Sequence, residues 1–240
     1  MTRLLMLLLG HFVSDFTLQT PRMVERKNNK FTALLVHAAI YTAVISSILF
    51  LCTNWKIALL ASVIIAVSHF LIDYIRIIVD KKIDRPNTHF ISFVIDQLLH
   101  TIIIGLFYFL FIHQNYPTNS IASIIENETF TRIIVYALIV WINWTPASIF
   151  IQKLISCLKT PQNNSEDPQA GRIIGKLERI IIAIFLVFNE FEGIIIILTA
   201  KSIARFKEFE KDHFAEKYLI GTLSSMIFSI ISTLLLLKTI

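Results

Sequence analysis

Apolar and polar positions along the 240-residue chain fall into long greasy runs separated by short charged ones. Leucine, isoleucine, valine and phenylalanine dominate stretches near 3–20, 31–51, 56–79, 88–112 and 130–152. Each approaches the length a helix needs to cross a hydrocarbon core of about 30 Å. The stretch 171–206 is too long for one span, and NEFEG at 189–193 interrupts it. It predicts two short helices, 171–188 and 192–206, folded as a hairpin. The second continues as a charged amphipathic segment along the inner surface, and a last helix runs near 217–238. Backbone groups in lipid must be satisfied within their own segment, so the runs predict helices. The expected fold is all-α, a polytopic transmembrane bundle of about eight membrane segments. Residues 1–112 make a four-helix region, and 113–240 a C-terminal region with the hairpin and the amphipathic segment.

Composition agrees with that class. The chain is 55% hydrophobic and 16% charged, with a mean hydropathy of +0.68, whereas a soluble domain carries about 25% charge. The net charge of +5 lies in short clusters between apolar runs, which orients membrane segments and is no nucleic-acid signal. The clusters are RMVERKNNK (Arg22, Arg26, Lys27, Lys30), DKKIDRP (Lys81, Lys82, Arg85), the 153–172 connection (Lys153, Lys159, Arg172) and 201–217 (Lys201, Arg205, Lys207, Lys211, Lys217). Residues 113–129 carry no basic loop charge. With eight segments all four clusters face one side. The positive-inside rule makes that side cytoplasmic and puts both termini outside a bacterial inner membrane. Arg3, near the outer end, opposes this orientation. No small-residue cleavage site follows MTRLLMLLLG, so it reads as a retained first helix. Cys52 and Cys157 fall toward opposite sides, and no CxxC occurs.

Polar chemistry interrupts the apolar runs. GHFVSD at 10–15 returns as SHFLID at 68–73, and DQLLH at 96–100 carries the same pair reversed. Residues four apart share a helix face, with Cβ atoms about 5–6 Å apart. Counting about 1.5 Å per residue from the inner helix ends places Asp15, Asp73 and Asp96 roughly 8–10 Å deep and His11, His69 and His100 roughly 14–16 Å deep. Helices one and three run inward and helix four outward, so the reversal keeps both layers level. His37, on the second helix, falls level with the aspartates. The candidate metal ligands are therefore His11, Asp15, His37, His69, Asp73, Asp96 and His100. A lone intramembrane histidine is often a helix–helix contact worth only ~0.6–2 kcal/mol. Three uncompensated aspartates each cost ~2.5–3.5 kcal/mol or more, which a divalent cation offsets. Zinc, manganese and iron all accept this donor set, and seven donors suit two ions.

Other polar residues surround the pairs. Gln19 lies one turn beyond Asp15. Arg76, three residues from Asp73, either neutralises a carboxylate or holds an anionic substrate. Gln97 points off the Asp96–His100 face, and Tyr41 serves hydrogen bonding or packing. His89 and His113, at helix ends, read as interfacial. HFVSD and HFLID, opening successive hairpins, hint at an internal repeat. A second polar set comprises GRIIGKLER (171–179), Glu190, Glu192, Lys201 and Arg205. There Lys176, Glu178 and Arg179 make either a snorkelling collar or a phosphate-binding or partner-docking surface.

LLLGHFVSDFTLQT, the histidine in LLVHAA, SHFLIDYIR and DQLLH resemble a bacterial integral-membrane family designated domain of unknown function 3307. GRIIGKLER, AKSIARF and FAEKYLIGTL extend the resemblance, which is least marked over 113–165. It implies the membrane class and no reaction. The His/Asp pattern is also similar in kind to bacterial membrane-bound metal-dependent hydrolases, a distant analogy. The leading expectation is a metal-dependent hydrolase of a phosphorylated or lipid-linked substrate. Asp15, Asp73 or Asp96 would act as base, and Arg76 would bind an anionic group. A divalent-cation or proton-coupled transporter is the second class, and a non-catalytic membrane partner the third. Membrane lipids are the expected surroundings, and no nucleic-acid partner is expected.

Overall fold

The computed structural model describes residues 1–114, 124–157, 168–210 and 214–240. Most of the 113–129 stretch, which carries no Lys or Arg, lies outside the described residues, together with Lys159 and Lys211. Ten α-helices and no strand occur among the described residues: α1 Thr2–Phe16, α2 Pro21–Asn29, α3 Phe31–Cys52, α4 Trp55–Lys82, α5 Pro86–Phe107, α6 Glu128–Trp144, α7 Pro146–Cys157, α8 Pro168–Val187, α9 Phe191–Ala204 and α10 Phe214–Leu237. A π-helical turn, Tyr108–Ile112, prolongs α5, and a 3₁₀ turn, Phe206–Glu210, follows α9. The chain divides into two compact units, Met1–Leu138 with Ile240, and Ile139–Thr239, with the boundary inside α6.

Among the described residues five segments are long and apolar enough to cross a membrane, Phe31–Cys52, Trp55–Lys82, Pro86–Ile112, Glu128–Cys157 and Phe214–Leu237, so the protein is of the membrane class. This is fewer than the eight expected. With 15 residues α1 falls short of the length that spans about 30 Å, and α9 has only 14. Helix α8 carries Arg172, Lys176, Glu178 and Arg179 among its 20 residues. The helix expected over 130–152 is broken at Thr145, because Pro146 has no N–H to donate and starts α7. The hairpin at 171–206 is present. Asn189 adopts φ 59°, and the Glu190 N–H reaches back to the Phe185 carbonyl at 2.8 Å, the closure by which a left-handed residue ends a helix.

A further helix occupies the basic segment expected as a loop. Thr20 accepts from the Met23 N–H at 3.3 Å and Pro21 opens α2, so local capping makes RMVERKNNK helical. Asn54 caps α4 in the same way, accepting from the Ile57 N–H at 3.1 Å.

In the first unit each long helix turns one stripe inward. On α3 it runs Leu34, His37, Tyr41, Ile45, Leu49 and Cys52. On α4 it is Ala58, Ala61, Ile65, His69 and Asp73. On α5 it is Phe93, Asp96, His100 and Ile104, continued by Tyr108 and Ile112. Spacings of three and four keep each stripe on one face. Leu4, Leu7, Ile45, Leu49, Ala58, Ile104 and Ile112 close an apolar core at one end. The polar positions of all four helices therefore gather toward the other end. Arg3 is no free outer charge. It is 4% exposed and donates to the carbonyls of Cys52 at 3.2 Å and Ile112 at 2.7 Å, capping the C-terminal ends of α3 and the π-turn. Gly10 lets α1 approach α3, since a Cβ there would meet Ile48 Cδ1. In the second unit Ile182, Leu186 and Ile194 pack with Phe185, Leu198, Met226 and Ile230.

Candidate metal centre

Helices α1, α3 and α4 converge on four donor atoms. His37 Nε2 lies 3.2 Å from His69 Nε2, 3.3 Å from Asp73 Oδ2 and 3.5 Å from Asp15 Oδ1. His69 Nε2 lies 3.6 Å from Asp15 Oδ1 and 3.7 Å from Asp73 Oδ2. These form two triangles sharing the His37–His69 edge. A tetrahedral ion with bonds of about 2.0–2.1 Å sets its donors about 3.3–3.4 Å apart. Both triangles match a face of that tetrahedron within a few tenths of an ångström. Asp15 Oδ1 is buried and has no hydrogen-bond partner. Among the described residues two groups of buried side chains could hold a metal ion, Asp15–His37–His69 and His69–Asp73–His100, each with its donor atoms within 4.8 Å of one another.

The surrounding side chains fix these rings. Tyr41 stacks flat on His69, with centroids 3.5 Å apart and planes at 2°. His100 Nδ1 lies 2.7 Å from the Asp96 carbonyl oxygen. A carbonyl only accepts, so Nδ1 carries the proton and the neutral ring keeps its lone pair on Nε2. That Nε2 is buried without a partner, as are His69 Nδ1 and Asp96 Oδ1. A histidine anchored through Nδ1–H is the usual arrangement behind a metal-binding Nε2.

The other two candidates stand differently. Both nitrogens of His11 are engaged, Nδ1 with the Tyr41 hydroxyl and Nε2 with Gln97 Oε1, each at 3.3 Å. His11 stacks on His100 with centroids 5.3 Å apart, so it lines the cluster without facing the shared edge. Asp96 accepts from Arg76 at 3.0 Å. The structure thus gathers all seven candidates in one cluster, with Asp15, His37, His69, Asp73 and His100 at its centre.

Three sequence expectations change. Arg76 pairs with Asp96 across to α5, not with Asp73 on its own helix. Gln97 does not point away: its amide donates to Asp96 Oδ2 at 2.9 Å and Asp15 Oδ2 at 3.4 Å while accepting from His11. The offset of one residue from Asp96 turns Gln97 toward α1, where its length closes the gap. Lys27, read as a loop charge, is 8% exposed, and its ammonium donates to Asp73 Oδ2 at 3.0 Å. With its amide oriented to suit both neighbours, Gln19 donates to the Asp15 carbonyl and accepts from Lys27. Only the Thr20–Pro21 cap signalled that Lys27 sits on a helix. His89 lies outside the cluster, beside Asp80 and Asp84.

Charge leaves the cluster one cation short. Asp15, Asp73 and Asp96 face two fixed cations, Lys27 and Arg76, so full ionisation of the three carboxylates requires one more proton or cation. A buried negative charge is retained only with a compensating proton or cation. The orphaned lone pairs and the donor spacing could hold a metal ion.

A family model described as "Protein of unknown function (DUF3307)" matches residues 3–131, which include the whole cluster. The C-terminal motifs lie beyond the matched residues. No curated protein and no solved structure matches the chain.

Proposed function

We propose, for a chain that belongs to the DUF3307 family and takes no assigned function from it, that the first unit is a membrane-embedded metal site. Its ion would be held by Asp15, His37, His69 and Asp73, with His100 completing a second position. The observation that carries this reading is the spacing of four donor atoms from three helices around one edge. We propose further that the site hydrolyses a phosphorylated or lipid-linked substrate. A bound ion would supply Lewis acidity and a nucleophile at neutral pH. The chain's own residues would then divide the remaining work. Asp96 Oδ1, buried without a hydrogen-bond partner, would take or return a proton. Arg76, at 22% exposure, lies at the accessible rim and would orient an anionic group. Gln97 would hold Asp15 in place, and Lys27 would neutralise Asp73 while no ion is bound.

One observation favours a second reading. The Asp73 oxygen that would bind metal already holds the Lys27 ammonium, as a carboxylate exchanging cations during transport would. We propose the orientation in which the Lys81–Arg85 turn, at the aspartate end, faces the cytoplasm. Purified full-length protein, assayed for metal content beside Asp73→Ala and His37→Ala, tests the metal site. Wild type should hold a stoichiometric transition metal and each variant should lose it. Metal-free wild type, unchanged in stability by added zinc or manganese, would overturn the reading. In the metal-loaded protein, phosphate release from lipid-phosphate substrates supports hydrolysis. Cation flux into liposomes without phosphate release supports transport instead.

A further inference from the structure

The second unit carries the opposite imbalance, a buried cation with only neutral partners. Arg179 on α8 is 3% exposed. Its Nε–H donates to the Asn143 carbonyl at 2.8 Å, and its terminal nitrogens donate to Ser225 Oγ at 2.9 Å and to Ser148 Oγ. A guanidinium stays protonated and presents five N–H groups in a planar fork. Three take neutral acceptors, and no carboxylate pairs with Arg179 among the described residues. The adjacent Glu178 is engaged elsewhere, accepting from Lys201 at 2.6 Å. An ionised group in an apolar helix bundle without a counter-charge is strongly disfavoured.

Two more cations continue the same face. Arg172 and Lys176 precede Arg179 by seven and three residues, a spacing that aligns them along α8. Arg172 is exposed, Lys176 half-buried and Arg179 buried, so positive charge leads inward from the surface. Neither Arg172 nor Lys176 forms an ion pair among the described residues. Lys176 rests over the Trp144 ring at 5.0 Å.

We infer that this ladder binds a phosphate group, entering at Arg172 and ending on the Arg179 fork. Phosphate supplies the missing negative charge and acceptor oxygens that match two parallel guanidinium N–H groups. Ser148, Ser225 and the Asn143 carbonyl take one N–H on each guanidinium nitrogen, leaving two of the five N–H groups for the ligand. The phosphate belongs either to an anionic lipid headgroup or to a soluble phosphorylated molecule. The inference rests on the second unit alone and is independent of the metal reading.

The test uses full-length protein in detergent. Native mass spectrometry compares retention of phosphatidylglycerol and phosphatidylcholine, and thermal unfolding is followed with inorganic phosphate. Phosphatidylglycerol retained about tenfold over phosphatidylcholine, the gain from one charge-assisted bond, supports a lipid source. Stabilisation by inorganic phosphate without lipid preference supports a soluble source. Either response should be lost in R179Q. Because Arg179 also braces helices, R172Q/K176Q provides the second arm. It should weaken the same response several-fold while its melting temperature without ligand stays that of wild type. Equal retention of both lipids with no phosphate response would overturn the inference. So would a response unchanged in R172Q/K176Q and R179Q.

Discussion

Lys27→Met separates structural neutralisation from ion exchange at the centre of the cluster. The ammonium lies 3.0 Å from Asp73 Oδ2, and both side chains are buried. Removing one member of such a pair strands the other charge, at a cost of about 3–5 kcal/mol. His37 Nε2 remains 3.3 Å from the same oxygen, which places the expected loss near the lower limit, about 3 kcal/mol. Methionine keeps the apolar stem's packing, so the loss reports mainly charge. If a metal ion shares Asp73, the penalty depends on its presence. Thermal unfolding in detergent with chelator should show the full loss, and saturating zinc should close most of the gap. Metal affinity should rise, because an ammonium about 4 Å from an ion repels it by about 4 kcal/mol per unit charge at an effective dielectric of 20. An equal loss with and without metal, and an unchanged affinity, would refute the idea that Lys27 and an ion compete for Asp73.

Other perturbations follow from the same contacts. Arg76→Leu should lower stability by about 2–3 kcal/mol by stranding buried Asp96, while Arg76→Leu/Asp96→Leu should recover most of it in denaturation measurements. Loss without recovery would show that Arg76 does not act through Asp96. Gly10→Ala should change stability by less than about 1 kcal/mol, since the Ile48 Cδ1 that the new methyl meets is the end of a flexible side chain and alanine favours the helix over glycine by about 1 kcal/mol; a loss of several kcal/mol in unfolding would mean that Ile48 cannot move aside. Cysteine replacing Trp55, at the start of α4, should react with an impermeant thiol reagent in intact cells, and one replacing Asp84, just past its end, should not. The opposite labelling would reverse the proposed orientation.

The long helices were legible because lipid demands continuous apolar sequence and inward stripes demand three- and four-residue spacing. His69 and Asp73 on α4 and Asp96 and His100 on α5 show why the cluster could be read as well. A pair that reverses when its helix reverses carries depth information in its order. The membrane count was less legible, since hydropathy does not reveal that α1 ends at Phe16 or that α9 ends at Ala204. Lys27 was hidden for a different reason. A basic residue near a helix end looks the same whether it faces water or a buried carboxylate, and only the partner on α4 decides. The capping role of Arg3 was hidden in the same way, because the carbonyls it caps come from residues 52 and 112. Gln97 shows the limit of face arguments: a long amide one position off the stripe still reaches a neighbouring helix.

X-ray absorption at the metal edge of the purified protein tests the central claim most directly, because it reads the donors around the ion. The account predicts a shell of nitrogen and oxygen at about 2.0–2.1 Å, with the outer-shell scattering of two imidazoles from His37 and His69, and an edge signal that is lost with the metal in His37→Ala. A shell of oxygen alone, a sulfur shell, or a spectrum unchanged by His37→Ala would contradict it.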